Sequence, residues 1–370
     1  MLSYWEQKTW FSNIDFTIVG SGIVGLNCAI AIKEKQSNAK VLILEKGLLP
    51  QGASTKNAGF ACFGSLSELI SDLKTHTEQE VTQLLEDRIN GLKALRNLLG
   101  DSTIDYQQNG GYELFLPHQK ELYNNCLLEL ERINTLFKPI FKKNLFEVKP
   151  TESFGNVLPK TIFNPFEGQI DTGKMMLALT QKAQEKGIII LNGQNVSGFN
   201  TKTNFVEITS NNFTFKTKKL CVATNGFGHE LLGEKVTPAR AQVLITKPIE
   251  NLKIKGTFHL DEGFYYFRNI GDRILLGGGR NLDFKTENTT NLELNKLIQN
   301  KLNELLQNVI LPNQTVEVEN RWTGIMGVGN QKTPIIKALN NKVFCGVRLG
   351  GMGIAIGTHV GRALAKITLN

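Results

Sequence analysis

The residues whose types and spacing first suggest chemistry are Gly20, Gly22 and Gly25, in the run Gly20-Ser-Gly22-Ile-Val-Gly25, together with Glu45. The glycines follow an apolar run at residues 15–19 and open a stretch of helical composition at 26–35. Glu45 closes a second apolar run, residues 40–45, twenty residues beyond Gly25. A strand, a glycine turn, a helix and a second strand ending in an acid make a βαβ unit of the dinucleotide-binding kind. The glycines allow a tight turn and close backbone approach to a pyrophosphate. The helix start offers free N–H groups and a positive dipole end, and Glu45 can accept hydrogen bonds from a ribose. This fingerprint alone leaves nicotinamide and flavin dinucleotides both open.

Three further glycine-rich turns narrow the choice. They are residues 52–64 (GASTKNAGFACFG), 221–226 (CVATNG) and 346–357 (GVRLGGMGIAIG), drawn from a chain of 370 residues with 35 glycines. Turns so far apart suit a long, extended cofactor such as FAD better than NAD, whose site is normally built within one domain. The last turn feeds a helix at 353–369. Its N-terminus can face the N1 and C2 carbonyl of a flavin and stabilise the negative charge that grows there on reduction.

With these motifs the chain resembles FAD-dependent oxidoreductases of the D-amino acid oxidase superfamily, near its glycine oxidase, sarcosine oxidase and γ-glutamylputrescine oxidoreductase branches. The resemblance rests on the fingerprint, Ser54-Thr-Lys-Asn-Ala-Gly59, Ala223-Thr-Asn-Gly226, Tyr265-Tyr-Phe-Arg268 with Leu276-Gly-Gly-Gly-Arg280, Arg321-Trp-Thr-Gly324 and the glycine-rich C-terminal turn. It implies an α/β fold: a Rossmann-type FAD-binding domain (1–75, 150–238, 320–370) interleaved with an α+β substrate domain (76–149, 239–319) built on a mainly antiparallel sheet. The implied cofactor residues are Gly20, Gly22, Ile23, Gly25, Glu45, Lys46, Ser54, Thr55, Asn57, Ala58, Gly59, Val196, Thr224, Asn225, Gly226, Gly351, Met352, Gly353 and Ile354. The implied reaction oxidises a C–N bond of an amine or amino acid by hydride transfer to flavin N5. The imine then hydrolyses, and O₂ or another acceptor reoxidises the flavin.

Such enzymes hold substrate under a sheet, here the β-rich stretch from about Arg240 to Arg321. Tyr266 and Arg268 share a parity on one expected strand and would face the same side, where a phenol and a guanidinium could grip a carboxylate together. Several relatives bind that carboxylate with an arginine two residues after the W-x-G glycine, where this chain has Met326. Arg348 is a looser match to a second such arginine. Relatives that bind flavin covalently use a cysteine where this chain has Gly324 or a histidine where it has Lys56, so noncovalent FAD is expected. Lys56 and Lys332 are candidates for a cation beside the reduced flavin. Oxidation of a 2-hydroxy acid is the alternative but needs a base. Action on a modified tRNA base has only the net charge of +8 behind it.

Around these motifs the pattern predicts helices at 78–99, 120–137 and from Asp171 to about 186. Strands are expected at 112–116, 188–191, 205–209, 219–223, 242–246, 257–260, 264–268, 273–276, 316–322 and 342–347, with a leucine-spaced helix over 292–306. Basic residues are interspersed with acids, so nucleic acid is not an expected partner. Five widely spaced cysteines without CxxC spacing point to a reducing cytoplasm, and no apolar run spans a membrane. His76, His118, His229 and His259 show no partner spacing, and His359 reads as a packing or surface residue in the last helix. Neither a triad nor a metal site is therefore expected. The partner is a small amine or amino acid, and the aromatic segment 1–10 leaves a homodimer open.

Overall fold

The computed structural model describes residues 2–370 apart from 152, 153, 212, 234 and 235. The first sheet has strand Ile14–Val19 at its centre, flanked in parallel by Val41–Leu44 and by Phe213–Val222, with Ile189–Leu191 and Val343–Val347 beyond them. Both inner faces are covered, so Ile18, Leu42, Ile43 and Leu44 are fully buried and read as continuous apolar runs. Strand Phe213–Val222 begins earlier than the expected residue 219. Its first half pairs antiparallel with Val206–Ser210 at the sheet's margin, where one side meets solvent and the exposed Thr214, Lys216 and Lys218 alternate with Phe213, Phe215 and Thr217.

Helix Ile23–Lys35 packs between this sheet and the final helix, Gly353–Leu369, and ten consecutive residues from Ile23 to Ile32 are buried. A helix enclosed on all sides has no polar stripe, which explains why its periodicity was weak in the sequence. The two helices approach so closely that a Cβ on Gly361 would lie 2.6 Å from the Val24 carbonyl.

The second sheet is mainly antiparallel. Thr237–Thr246 pairs with Val318–Val328 on one side and with Arg273–Gly278 on the other; Tyr265–Ile270, Thr257–Leu260, Gly111–Glu113, Lys160–Asn164 and Glu147–Pro150 follow. This pairing puts 160–164 and 320–328, expected with the cofactor domain, into the second sheet. Their backbone hydrogen bonds go to strands 111–113 and 237–246. The long helices are Glu78–Leu99, started by a Thr77/Glu80 capping box, and Lys120–Phe141, which runs four residues past the expected end. Asp171 caps Thr172–Glu185 by accepting from the Lys174 N–H. The leucine-spaced helix starts at Lys296, later than expected, because Asn295 caps it, and it ends in a π turn, Leu306–Ile310. Tyr4–Trp10, given no element in the sequence reading, is a short helix with a Ser3/Glu6 capping box and no buried residue.

Candidate functional site

The fingerprint turn, residues 52–64 and the C-terminal turn converge with the second sheet on one cavity of about 500 Å³. At one end lie Gly20, Gly22 and Ile23. A Cβ on Gly20, whose φ is +102°, would sit 2.8 Å from the Ala223 carbonyl oxygen; on Gly25 it would sit 1.9 Å from that of Gly20. Only glycine lets strand, turn and helix close this tightly. Glu45 is buried at the rim. Its Oε2 accepts from the Ser21 N–H and hydroxyl at 3.0 and 2.8 Å, and its Oε1 from the Gly47 N–H at 3.0 Å. The acid expected to meet a ribose therefore also clamps the turn that would hold the phosphates.

The distant turns are tied together by side chains. Asn225, at φ 45°, accepts from the Arg348 and Leu349 N–H groups at 3.0 and 3.2 Å, joining the 221–226 turn to the C-terminal one. Ser54 Oγ accepts from Ile23 N–H at 2.9 Å, using one of the free donors at the helix start. Asn57 accepts from Gly59 N–H and Thr172 Oγ1, and Trp322 Nε1 donates to the Lys56 carbonyl. Lys46, Ala58, Val196, Thr224, Gly351, Met352, Gly353 and Ile354 also line the cavity. Gly25, Thr55, Gly59 and Gly226 do not. Gly25 and Gly226 are packing positions, Thr55 Oγ1 donates to the Pro50 carbonyl, and Gly59, at φ +73°, backs onto Arg268.

At the other end, Phe60, Val243 and Tyr266 form an apolar patch, with the Phe60 ring edge-on to Tyr266 at 5.5 Å. Burial pushes the Tyr266 phenol up to about 12. Arg268 does not join Tyr266 in a carboxylate grip. Its guanidinium is outside the cavity and donates to the carbonyls of Ala58, Ile170 and Asn269, so it braces residues 58–59 from behind. A Cβ on Gly59 would stand 2.7 Å from its Nη2. Arg348 lines the cavity, with Nε and Nη2 donating to the Thr333 carbonyl at 3.1 and 2.9 Å. Met326, Lys56 and Lys332 also line it, with Lys332 Nζ 2.6 Å from Asp72 Oδ1.

His259, for which the sequence offered no partner, lines the cavity and is paired. It is 5% exposed, and its Nε2 lies 2.9 Å from Oε2 of Glu167, which is 1% exposed. Burial disfavours the imidazolium, but the Glu167 carboxylate, with Glu68 and Glu113 further off, outweighs it and takes His259 up to about 9. Glu113, bonded by Ser65 and Ser67, is pushed up to about 7 by burial. Arg88, in helix Glu78–Leu99, also reaches the cavity. A titratable residue between Phe258 and Leu260 was the available signal for His259; nothing in the spacing connected it to Glu167, 92 residues away.

The sequence pattern of FAD dependent oxidoreductases (DAO) matches residues 15–367. The chain belongs to this family. Its members are FAD-dependent oxidoreductases, and the glycine cradle and clamped Glu45 fit the adenosine and pyrophosphate portion of that cofactor. Across 98% of the chain and 84% of the relative, it is 18% identical to the probable oxidoreductase OrdL of Haemophilus influenzae. The structure is similar to glycine oxidase from Geobacillus kaustophilus, with a TM-score of 0.77 at 18% identity, covering 96% of this chain and 94% of that one. It is also similar to L-proline dehydrogenase from P. horikoshii, with a TM-score of 0.75 at 16% identity, covering 96% and 92%. The family's Rossmann-plus-sheet fold is thus the one expected from the motifs. Among the described residues, no helix is long and apolar enough to cross a membrane.

Proposed function

We propose that the protein oxidises a C–N bond of an amine or amino acid, with noncovalent FAD along the glycine turns and substrate between the flavin and the second sheet. The observation that carries this reading is the single cavity, which runs from the glycine cradle at Gly20 and Gly22 to the patch of Phe60, Val243 and Tyr266. FAD, when bound, supplies the acceptor for two electrons and the hydrogen leaving the substrate carbon. The chain's residues would do the rest. The apolar patch favours a neutral amine over an ammonium, as the reaction needs, and excludes water. The resulting imine then takes up water and splits into a carbonyl compound and an amine or ammonia.

Hydroxy-acid oxidation would need a group to take the hydroxyl proton. Against it, His259 and Tyr266 both hold their protons at neutral pH, at about 9 and about 12. Gly324 and Lys56 stand where covalent flavin links would need cysteine or histidine, which supports noncovalent binding; yellow colour retained in an acid-precipitated pellet would contradict it. All five cysteines are free and buried, in keeping with a reducing cytoplasm. Anaerobic mixing of the FAD-loaded protein with amines, amino acids and 2-hydroxy acids tests the reaction. Bleaching of the flavin by compounds of the first two groups is expected, and bleaching by hydroxy acids alone would overturn the assignment.

A further inference from the structure

Arg88 is a buried cation with no counter-ion among the described residues. It is 5% exposed, and its only hydrogen bond to a described residue is from Nη1 to the Phe63 carbonyl at 2.6 Å. No carboxylate among the described residues lies within 4.0 Å of it, and its Nε is buried without any partner. The two acids that feel its charge are engaged elsewhere. Glu68 accepts from the Ser65 N–H at 3.0 Å, and Asp72 is paired with Lys332 at 2.6 Å. Burying a guanidinium this way is costly, and native proteins rarely leave such donors unused.

The position is fixed rather than incidental. Three residues along the helix, Gly91 packs so tightly on the final helix that a Cβ there would lie 2.2 Å from the Ala355 carbonyl. Arg88 is therefore held at a set depth, lining the cavity together with Cys62 and Met352, whose sulfur atoms are 3.5 Å apart. Of the other arginines, Arg268 is held by three carbonyls and Arg348 by Thr333; Arg280, half-buried, gives Nη2 to Asn288 and stacks on the Phe284 ring, although its Nε, like that of Arg88, is buried without a partner. A guanidinium presents two parallel N–H donors that match a carboxylate. On Arg88, Nη2 donates to no described residue and, unlike the sealed Nε, keeps accessible surface, so Nη2 is the free donor beside Nη1.

We propose that Arg88 is the anchor for the substrate's carboxylate, so that the substrate is an amino acid or N-alkyl amino acid rather than an amine lacking a carboxylate. This rests on the C–N oxidation reading above and places substrate recognition on a helix outside the second sheet. In the FAD-loaded protein, benzoate and acetate should perturb the visible flavin spectrum, while benzamide and acetamide should not. Arg88→Met should weaken benzoate binding roughly 10- to 150-fold, the range for a charge-assisted hydrogen bond, with FAD content retained. Arg88→Lys keeps the charge but loses the fork, and should weaken binding less than Arg88→Met does. If Arg88→Met fails to hold FAD, a weakening in Arg88→Lys confined to the carboxylates carries the comparison.

Carboxylate affinity unchanged in folded variants would overturn the assignment, as would wild-type protein that responds to neither carboxylate. A flavin spectrum altered without ligand, at unchanged benzoate affinity, would move Arg88 to the cofactor and also overturn it. The two readings fail separately. Arg88-dependent benzoate binding with reduction only by hydroxy acids refutes C–N oxidation alone, whereas reduction by amino acids with Arg88-independent benzoate binding refutes the anchor alone.

Discussion

Replacing Glu167 with Gln removes the negative charge beside His259 while keeping an oxygen that can accept from Thr257 Oγ1, now at 3.1 Å. In the unfolded chain the imidazole titrates near 6.5; in the fold it is held up to about 9. Below about 6.5 both states carry the proton and the pair's stabilisation is fully present. Between about 6.5 and 9 the unfolded chain gives up its proton first, so the stabilisation drains away as pH rises and is gone above about 9. At 1.36 kcal/mol per tenfold change in proton affinity, the span from 6.5 to 9 corresponds to about 3 kcal/mol. Glu167→Gln should therefore be less stable than the wild type by about that amount near pH 6, with the gap closing as pH rises through about 9. Urea unfolding of the FAD-loaded proteins across this range, followed by circular dichroism, reads the difference directly. Glu113, pushed up to about 7, also costs stability as pH rises from its ordinary 4.5; it does so in both proteins, and its interaction with His259 is smaller than that of Glu167. A loss of equal size at every pH would refute the buried ion pair and leave Glu167 as a packing group.

Gly59→Ala puts a methyl 2.4 Å from the Ile170 carbonyl oxygen at a φ of +73°, and should destabilise the fold by about 1–3 kcal/mol in urea unfolding. Glu45→Ala removes the acceptor for Ser21 and, on the proposed reading, for a ribose; apoprotein titrated with FAD should bind it about 10- to 150-fold more weakly. Lys332→Met leaves the buried Asp72 carboxylate without its partly exposed lysine partner and should lower stability by about 1–3 kcal/mol in urea unfolding. If Lys332 is the cation that assists oxygen, the same variant should slow reoxidation of the reduced flavin in stopped-flow mixing.

The Rossmann half was readable because its signals are local. Gly20, Gly22, Gly25 and Glu45 lie within one βαβ unit, and a glycine required by close backbone approach leaves its mark at a fixed spacing. Helix Gly353–Leu369 was placed to the residue for the same reason: a glycine turn starts it and apolar periodicity carries it. The substrate side was harder to read. Parity correctly put Tyr266 and Arg268 on one face of strand Tyr265–Ile270, but parity cannot say that the carbonyls of Ala58 and Ile170 reach the guanidinium before any ligand does. His259 and Glu167 meet through strand pairing across 92 residues, and Arg88 reaches the cavity from a helix that carried no motif. Long-range convergence of single side chains leaves no pattern in one sequence.

The most direct test of the central claim is a single anaerobic turnover in which flavin bleaching and released nitrogen are both counted. C–N oxidation predicts one equivalent of amine or ammonia, with one of carbonyl product, for each flavin bleached by an amino acid. Bleaching by an amino acid without release of nitrogen, or by 2-hydroxy acids alone, would contradict it.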